Sequence, residues 1–140
     1  MGNTLYVHDC LFGHGWFGTP LAGFRNLGTI NACNIKIERC KFLGDLAGCT
    51  GAITATAIDN ALGGAGGYWD DCEFINNIFM GCAVGLDLFR ARTCLILDNK
   101  FVFPDTALTG EAITINVGSV GCMIDGNRAV NGGDAVITNN

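Results

Sequence analysis

Short runs in which apolar and polar residues alternate recur five times along this chain of 140 residues. Each run has apolar residues at its first and third positions, Asn or Cys at its sixth, and Phe or Ala at its eighth. The copies begin at Leu5, Ile35, Cys72, Cys94 and Cys122, at intervals of 22 to 37 residues. Because successive side chains of a strand point to opposite faces, such alternation predicts a short β-strand in each copy.

The segments between these runs are filled with Gly, Asn, Asp and Thr, which disfavour a helix of about ten residues. Alternating strand–helix units are therefore excluded. A meander of hairpins would not regenerate the same pattern, whereas parallel coils stacked on one another would, because each residue then lies above its equivalent in the next coil. The sequence predicts an all-β fold, a parallel β-helix (solenoid) of about five coils, as a single domain over residues 1–140.

Stacking the copies predicts columns of like residues in the interior of the solenoid. The three apolar columns are Leu5, Ile35, Cys72, Cys94, Cys122; then Val7, Ile37, Phe74, Ile96, Ile124; then Phe12, Phe42, Phe79, Phe101, Ala129. A column containing Asn77, Asn99 and Asn127 is predicted at a bend, where Asn tolerates the left-handed backbone conformation. Stacked Asn side chains are expected to hydrogen-bond along the solenoid axis.

A second, weaker repeat consists of a Gly-rich turn followed by the pattern Ala-apolar-x-apolar. Its copies begin at Ala52, Ala83, Ala112 and Ala135, and residues 21–24 take this part in the first coil. We expect this repeat to form a further strand in each coil, stacked in that register.

Residues 34–42 and the copy at 98–101 (Asp-Asn-Lys-Phe) resemble the right-handed β-helix repeat of pectate-lyase-like proteins. That superfamily includes polysaccharide lyases, glycoside hydrolases and bacteriophage tail spikes. The resemblance covers nearly the whole chain and implies right-handed coils. It involves interior and turn positions, so it implies a fold and leaves function open.

Two short motifs resemble parts of a polygalacturonase-like active site, Gly13-His14-Gly15 and Asp70-Asp71. In that family Asp-Asp precedes Gly-His-Gly, and Asn-Thr-Asp and Arg-x-Lys complete the set. Here the order is reversed and the other two motifs are missing. We interpret these residues as a Gly-rich loop and a turn.

A polysaccharide lyase needs a base close to carboxylates that hold calcium. The candidates are Arg90, Arg92, Asp70, Asp71, Glu73, Asp87 and Asp98. We interpret them as turn and surface charges, because five coils spaced by about 4.8 Å give a groove only about 24 Å long. With no Cys-x-x-Cys and only two histidines, we predict no catalytic residue, no metal and no cofactor.

Composition and charge argue against nucleic acid and membrane as partners. The net charge of −5 argues against nucleic acid, which needs clustered Lys and Arg. No apolar run approaches the roughly 20 residues that span a bilayer, and no signal peptide is visible at the N-terminus.

The chain contains eight cysteines. Five of them, at inward or bend positions of the repeat, are predicted to be thiols that pack as small apolar residues: Cys10, Cys40, Cys72, Cys94 and Cys122. The pattern makes no prediction for Cys33, Cys49 and Cys82.

Four outward positions on the third to fifth coils are apolar, namely Ile75, Leu95, Leu97 and Met123. Exposed apolar patches mark contact surfaces. We predict an interface at this patch, with cover by loops of the same chain as the alternative. Neither end of the chain carries an amphipathic helix that would cap the solenoid.

Together these features predict a non-enzymatic structural protein of a virus particle, assembled in the host cytoplasm. It would act as a head decoration protein or tail-spike-type module. We expect a homo-oligomer, a trimer by preference, in contact with other virion proteins.

The alternative is a carbohydrate-binding or polysaccharide-degrading β-helix, in which a surface glycan stacks on Trp16, Tyr68 and Trp69 in loops. A third hypothesis is a designed or excised solenoid without a function of its own.

Overall fold

The computed structural model describes residues 4–13, 22–26, 32–43, 56–60, 69–81, 84–88, 90–103, 111–115, 118–130 and 137–139. Regular structure in these ranges is entirely β. The strands are β1 (Leu5–His8), β2 (Leu11–Gly13), β3 (Ala22–Asn26), β4 (Ala32–Cys33), β5 (Ile35–Glu38), β6 (Lys41–Leu43), β7 (Thr56–Asn60), β8 (Trp69–Asp70), β9 (Glu73–Ile75), β10 (Ile78–Met80), β11 (Val84–Leu88), β12 (Ala91–Arg92), β13 (Leu95–Leu97), β14 (Lys100–Val102), β15 (Glu111–Ile115), β16 (Met123–Asp125), β17 (Arg128–Val130) and β18 (Ile137–Asn139).

These strands form four sheets, and every pairing between them is parallel. Sheet A has the order β1-β5-β9-β13-β16, sheet B β2-β6-β10-β14-β17, and sheet C β3-β7-β11-β15-β18. Sheet D is shorter, with the order β4-β8-β12. Each sheet therefore takes one strand from each successive turn of the chain. The predicted parallel β-helix of five coils is confirmed; coil 1 begins at β1, coil 2 at β5, coil 3 at β9, coil 4 at β13 and coil 5 at β16.

The interior columns have the predicted register. Ile37 pairs with Val7 and Phe74, and Ile96 pairs with Phe74 and Ile124. Ile37, Phe74 and Ile96 are completely buried. Like residues thus stack directly above one another and exclude water from the centre of the solenoid.

The phenylalanine column forms a continuous stack of rings on the inner side of sheet B. Ring centroids are 4.7 Å apart for Phe12 and Phe42, 5.0 Å for Phe42 and Phe79, and 4.8 Å for Phe79 and Phe101. The planes differ by no more than 12°. The spacing follows from the distance of about 4.8 Å between neighbouring strands of a sheet.

The asparagine column lies at the bend between sheets A and B and hydrogen-bonds along the axis, as predicted. Its backbone conformation differs from the prediction, because the left-handed residue is the one that precedes the column. Positive φ occurs at Arg39 (52°), Asn76 (53°), Asp98 (55°) and Gly126 (66°). The left-handed residue turns the chain, so that the next side chain points inward. That residue is Cys40 in coil 2 and an Asn in coils 3 to 5, where its amide bonds to the neighbouring coils.

The third strand of each coil has a register that differs from the predicted one. Leu86 pairs with Ile58 and Ile113, and Ile113 pairs with Ile137. The prediction instead aligned the alanines that follow the Gly-rich turns. Its alignment of coil 1 with coil 3 is correct, because Ala22 and Phe24 reach Val84 and Leu86 through Thr56 and Ile58.

Alternation could not have set this register. Consecutive residues of β15 are buried, with Ala112 5%, Ile113 1%, Thr114 8% and Ile115 5% exposed. Where both faces of a strand are buried, the pattern of apolar residues no longer distinguishes one register from a shifted one.

Candidate functional site

The outer face of sheet A carries two rows of side chains that run along the solenoid axis. The first row is Tyr6, Lys36, Glu73, Leu95 and Met123, and the second is His8, Glu38, Ile75, Leu97 and Asp125. Both rows have the predicted register. The face is therefore polar over coils 1 and 2 and largely apolar over coils 3 to 5.

The apolar patch consists of Ile75, Leu95, Leu97 and Met123. Leu95 pairs directly with Met123, and Leu97 pairs with Ile75. Met123 is 54% exposed, and the other three side chains are partly exposed. The structure thus brings together the four residues that the sequence had singled out.

The polar part of the face is a network of ion pairs. Lys36 Nζ lies 3.1 Å from Glu73 Oε2 and 3.8 Å from Glu38 Oε2. The Tyr6 hydroxyl donates a hydrogen bond to Glu38. This hydrogen bond, reinforced by the nearby cations, lowers the pKa of Glu38, and the bond to Glu73 raises the pKa of Lys36. Each charge in this part of the face has a partner beside it.

The corner between sheets A and B continues this network in coils 1 and 2. Arg39 Nε and Nη2 donate to the two carboxylate oxygens of Asp9 at 2.8 and 2.9 Å. His8 Nδ1 is 2.8 Å from Asp9 Oδ2. The Arg39 guanidinium, and to a smaller extent His8, hold the pKa of Asp9 well below its usual range.

Comparisons with protein-family models, curated proteins and solved structures gave no match. The family resemblance of the repeat therefore stays a prediction.

The charged residues considered for a lyase are distributed over sheets A, C and D and the corners beside them. Arg92 forms a two-pronged ion pair with Asp70 of the coil before. The Thr93 hydroxyl donates to Asp71, and Glu73 pairs with Lys36 on sheet A. These contacts join neighbouring coils.

The remaining candidates for a lyase site lie elsewhere. Arg90 directly precedes β12, Asp87 belongs to sheet C, and Asp98 lies at the corner that follows β13. Within the described ranges, no group of three or more His, Cys, Asp or Glu side chains is placed to hold a metal ion.

The carbohydrate hypothesis required Trp69 to lie in an exposed loop, and this is wrong. Trp69 belongs to β8 and is completely buried, and its ring meets Phe74 edge-on with centroids 5.6 Å apart. Ala91, its partner in the next coil, is small enough to leave room for the indole. Trp16 and Tyr68, the other two residues of that hypothesis, and His14 lie outside the described residues.

The six described cysteines are free thiols: Cys10, Cys33, Cys40, Cys72, Cys94 and Cys122. Cys40, Cys72 and Cys94 are completely buried. A hydrogen bond with Cys72, together with burial, raises the pKa of Cys94, and burial raises that of Cys40. Protonated buried thiols are poor nucleophiles, so Cys40 and Cys94 fill the interior. The hydrogen bond with Cys94 lowers the pKa of Cys72, whose burial keeps it from solvent. Cys33 lies in β4 and is partly exposed, and Cys49 and Cys82 lie outside the described residues.

A second outer face was missed by the sequence interpretation. On sheet B, the residues on either side of the Phe column point outward and form two further rows. The first row is Leu11, Lys41, Ile78, Lys100 and Arg128, and the second contains Leu43, Met80, Val102 and Val130. The pattern basic-Phe-apolar in residues 41–43 and 100–102 was the available signal.

In the part of the chain that the structure describes, no helix long and apolar enough to cross a bilayer was found.

Proposed function

We propose that this chain is a non-enzymatic structural module of a virus particle, which assembles with copies of itself through the apolar patch of sheet A. The observation that carries the proposal is the contrast on that face. Its charges over coils 1 and 2 are paired within the chain, whereas Ile75, Leu95, Leu97 and Met123 lie side by side with Met123 54% exposed.

An apolar cluster beside a self-neutralised polar area has the composition of an interface centre and its rim. Burial of this patch against another chain would remove apolar surface from water at about 25 cal/mol per Å². The ion pairs beside it would tolerate partial burial, because each is already formed within one chain.

The stacked interior supports a mechanical role. Phe rings, Asn side chains and thiols each bridge successive coils, so that separating two coils breaks contacts in several columns at once. Such a body transmits force along its axis and offers proteases few openings. The assignment to a virion, as a head decoration protein or tail-spike-type module in contact with other virion proteins, depends on the resemblance of the repeat to tail-spike β-helices.

The native mass in solution tests the self-assembly. Sedimentation equilibrium is expected to give a trimer for the unmodified chain and a shift to monomer for Leu97→Lys, which places a charge in the patch. Val120→Lys is the matched control, because Val120 is 61% exposed and pairs with Arg92 beyond sheet D. A monomer for the unmodified chain, or equal effects of the two lysines, would contradict the proposal.

The virion assignment needs its own test. An antibody raised against the chain is expected to label purified virus particles from the source organism, with Leu97→Lys lowering its incorporation. Binding of the chain to a glycan array, without labelling of particles, would favour the carbohydrate hypothesis instead.

A further inference from the structure

Sheets A and B carry complementary surfaces on the two sides of their shared corner. In coil 4, Asp98 lies at the corner itself and Lys100 begins sheet B; in coil 5, Asp125 ends the sheet A strand one residue before the corner and Arg128 begins sheet B. All four side chains are exposed. An acidic group therefore lies at the corner or on its sheet A side, and a basic group lies on its sheet B side.

These charges differ from the paired charges of the described residues. Lys36, Arg39 and Arg92 all have carboxylate partners within the chain. Within the described residues, no ion pair is formed by Lys41, Lys100, Arg128, Asp98 or Asp125. Three of the eight basic residues of an acidic chain, Lys41, Lys100 and Arg128, thus lie in one outer row of sheet B without an ion pair in the described residues.

Apolar residues lie farther from the corner on both faces. On sheet A these are Leu95 in coil 4 and Met123 in coil 5. On sheet B they are Val102 in coil 4 and Val130 in coil 5, the latter 38% exposed. From sheet A to sheet B, the outer surface of coils 4 and 5 is first apolar, then acidic at the corner or just before it, then basic, and then apolar again.

We infer that sheet A of one copy packs on sheet B of the next copy in a three-fold ring whose axis runs parallel to the solenoid axis, with the corner between the two sheets facing that axis. This inference rests on the proposed self-assembly and names its geometry. Rotation about such an axis keeps every coil at its own height. Asp125 then faces Arg128 of the neighbour, Lys100 of the neighbour lies opposite Leu97 and next to Asp98, and the apolar residues of the two sheets meet farther out.

Charge complementarity selects this arrangement over a two-fold contact of sheet A with itself. A two-fold axis parallel to the solenoid sets Asp125 against Met123 of the second copy, which buries a charge on an apolar surface. A two-fold axis along the strands sets acidic corner against acidic corner, which is repulsive. Contact between unlike faces sets Asp125 against Arg128 instead, and a ring closes it.

Reversal of one charge at a time tests the pairing, and coil 5 is the better place because Asp125 and Arg128 both lie in strands. Asp125→Lys and Arg128→Glu are each expected to weaken the trimer about 100-fold, since like charges then meet across every contact. The double variant with both changes in one chain is expected to return to within about threefold of the unmodified protein, because the swapped faces are again complementary. Val120→Glu is the control for an added charge outside both faces.

The measurement is sedimentation velocity over a concentration series, with circular dichroism melting curves to establish that each variant is folded. Loss of the trimer in both single variants and its recovery in the double variant would establish the pairing. Single reversals without effect in a trimer that Leu97→Lys still disrupts would overturn this inference and leave the proposed self-assembly intact. Failure of the double variant to recover, or a native dimer, would also overturn it. A native monomer would overturn both.

Discussion

Asn77 lies directly above Asn99, and the side-chain oxygen of Asn99 accepts two hydrogen bonds from it. The donors are the backbone N–H of Asn77, at 2.9 Å, and its side-chain amide, at 3.1 Å. The side-chain oxygen of Asn127 likewise accepts hydrogen bonds from the backbone N–H and the side-chain amide of Asn99, at 2.9 Å each. One side-chain type thus joins three successive coils at the bend between sheets A and B.

Replacement of Asn99 by Ala is expected to destabilise the fold by about 3–5 kcal/mol, because several buried groups lose their partners. The carbonyl of Phe74 accepts from Asn99 Nδ2 at 2.8 Å, and Asn77 would lose the acceptor of two bonds. Asn99 is only 1% exposed, so water cannot replace these bonds. Urea unfolding monitored by circular dichroism measures the change.

Asn127→Ala is the control for this prediction, because Asn127 has the same place in the terminal coil and is partly exposed. Asn127→Ala should lower the free energy of unfolding clearly less than Asn99→Ala does. Equal losses would mean that the ladder contributes through the shape of the bend rather than through buried hydrogen bonds.

Truncation of a ring in the phenylalanine stack should also destabilise the fold more in an inner coil than in a terminal one. Phe79→Ala removes a ring that is 2% exposed and stacked on both sides, with an expected loss of about 3–5 kcal/mol. Phe12 lies in coil 1, is partly exposed and stacks on one side only in the described residues. Phe12→Ala should therefore be milder in the same unfolding experiment, and a reversed order would refute the proposed packing.

Gly85 is required by a close approach between sheets B and C. A Cβ at this position would lie 2.3 Å from Phe101 Cε1 and 2.6 Å from the carbonyl oxygen of Ala112. We expect Gly85→Ala to cost about 1–3 kcal/mol through overpacking. Phe101→Leu combined with Gly85→Ala should lose less than the sum of the single changes, because the smaller side chain relieves part of the clash. Strict additivity would argue against contact between the two residues.

Thiol labelling should follow burial. Brief iodoacetamide treatment of the folded chain, followed by peptide mapping, is expected to label exposed Cys10 and to leave Cys72 and Cys94 unmodified until denaturant is added. Rapid modification of Cys94 would mean that the interior of the solenoid opens on the labelling timescale.

Acid should weaken the corner of coils 1 and 2. The Arg39 guanidinium lowers the pKa of Asp9. The stability that this ion pair adds to the fold is therefore present above the ordinary Asp pKa of about 4 and is lost as the pH falls below it. The effect should be small, because the pair is exposed and screened by solvent. Asp9→Asn is expected to lower the melting temperature at pH 7 and to flatten its fall toward pH 3.

Asp98→Asn is the matched control for the acid experiment, because Asp98 occupies the equivalent corner of coil 4 with a φ of 55°, against 54° for Asp9. It lacks an ion pair within the described residues. If both variants flatten the pH dependence equally, the Asp9–Arg39 pair is not its source.

The fold was predictable because the same short pattern is repeated with a strict order of residue types. An Ile at position 37 and a Phe at position 74 are each ambiguous alone, but their equivalents in the next coils fix the column, and the structure reproduces that column in register. The asparagine ladder could be predicted for the same reason.

Other features depended on information that no local pattern contains. The register of sheet C was mispredicted because residues such as Thr114 and Ile115 are both buried, so alternation carries no signal. Trp69 looked like a loop residue because β8 contains only two residues, too few for a period to be recognised.

The sequence by itself therefore determined the repeat, the parallel stacking, the interior columns and the apolar patch on sheet A. These follow from alternation, which is local, and from repetition, which reports which residues are neighbours. Only the tertiary structure decided which charges find partners and which remain unpaired, since Lys36 and Lys100 look alike in the sequence. Ion pairing depends on distances between coils and around the corner, and those distances exist only once the chain has folded.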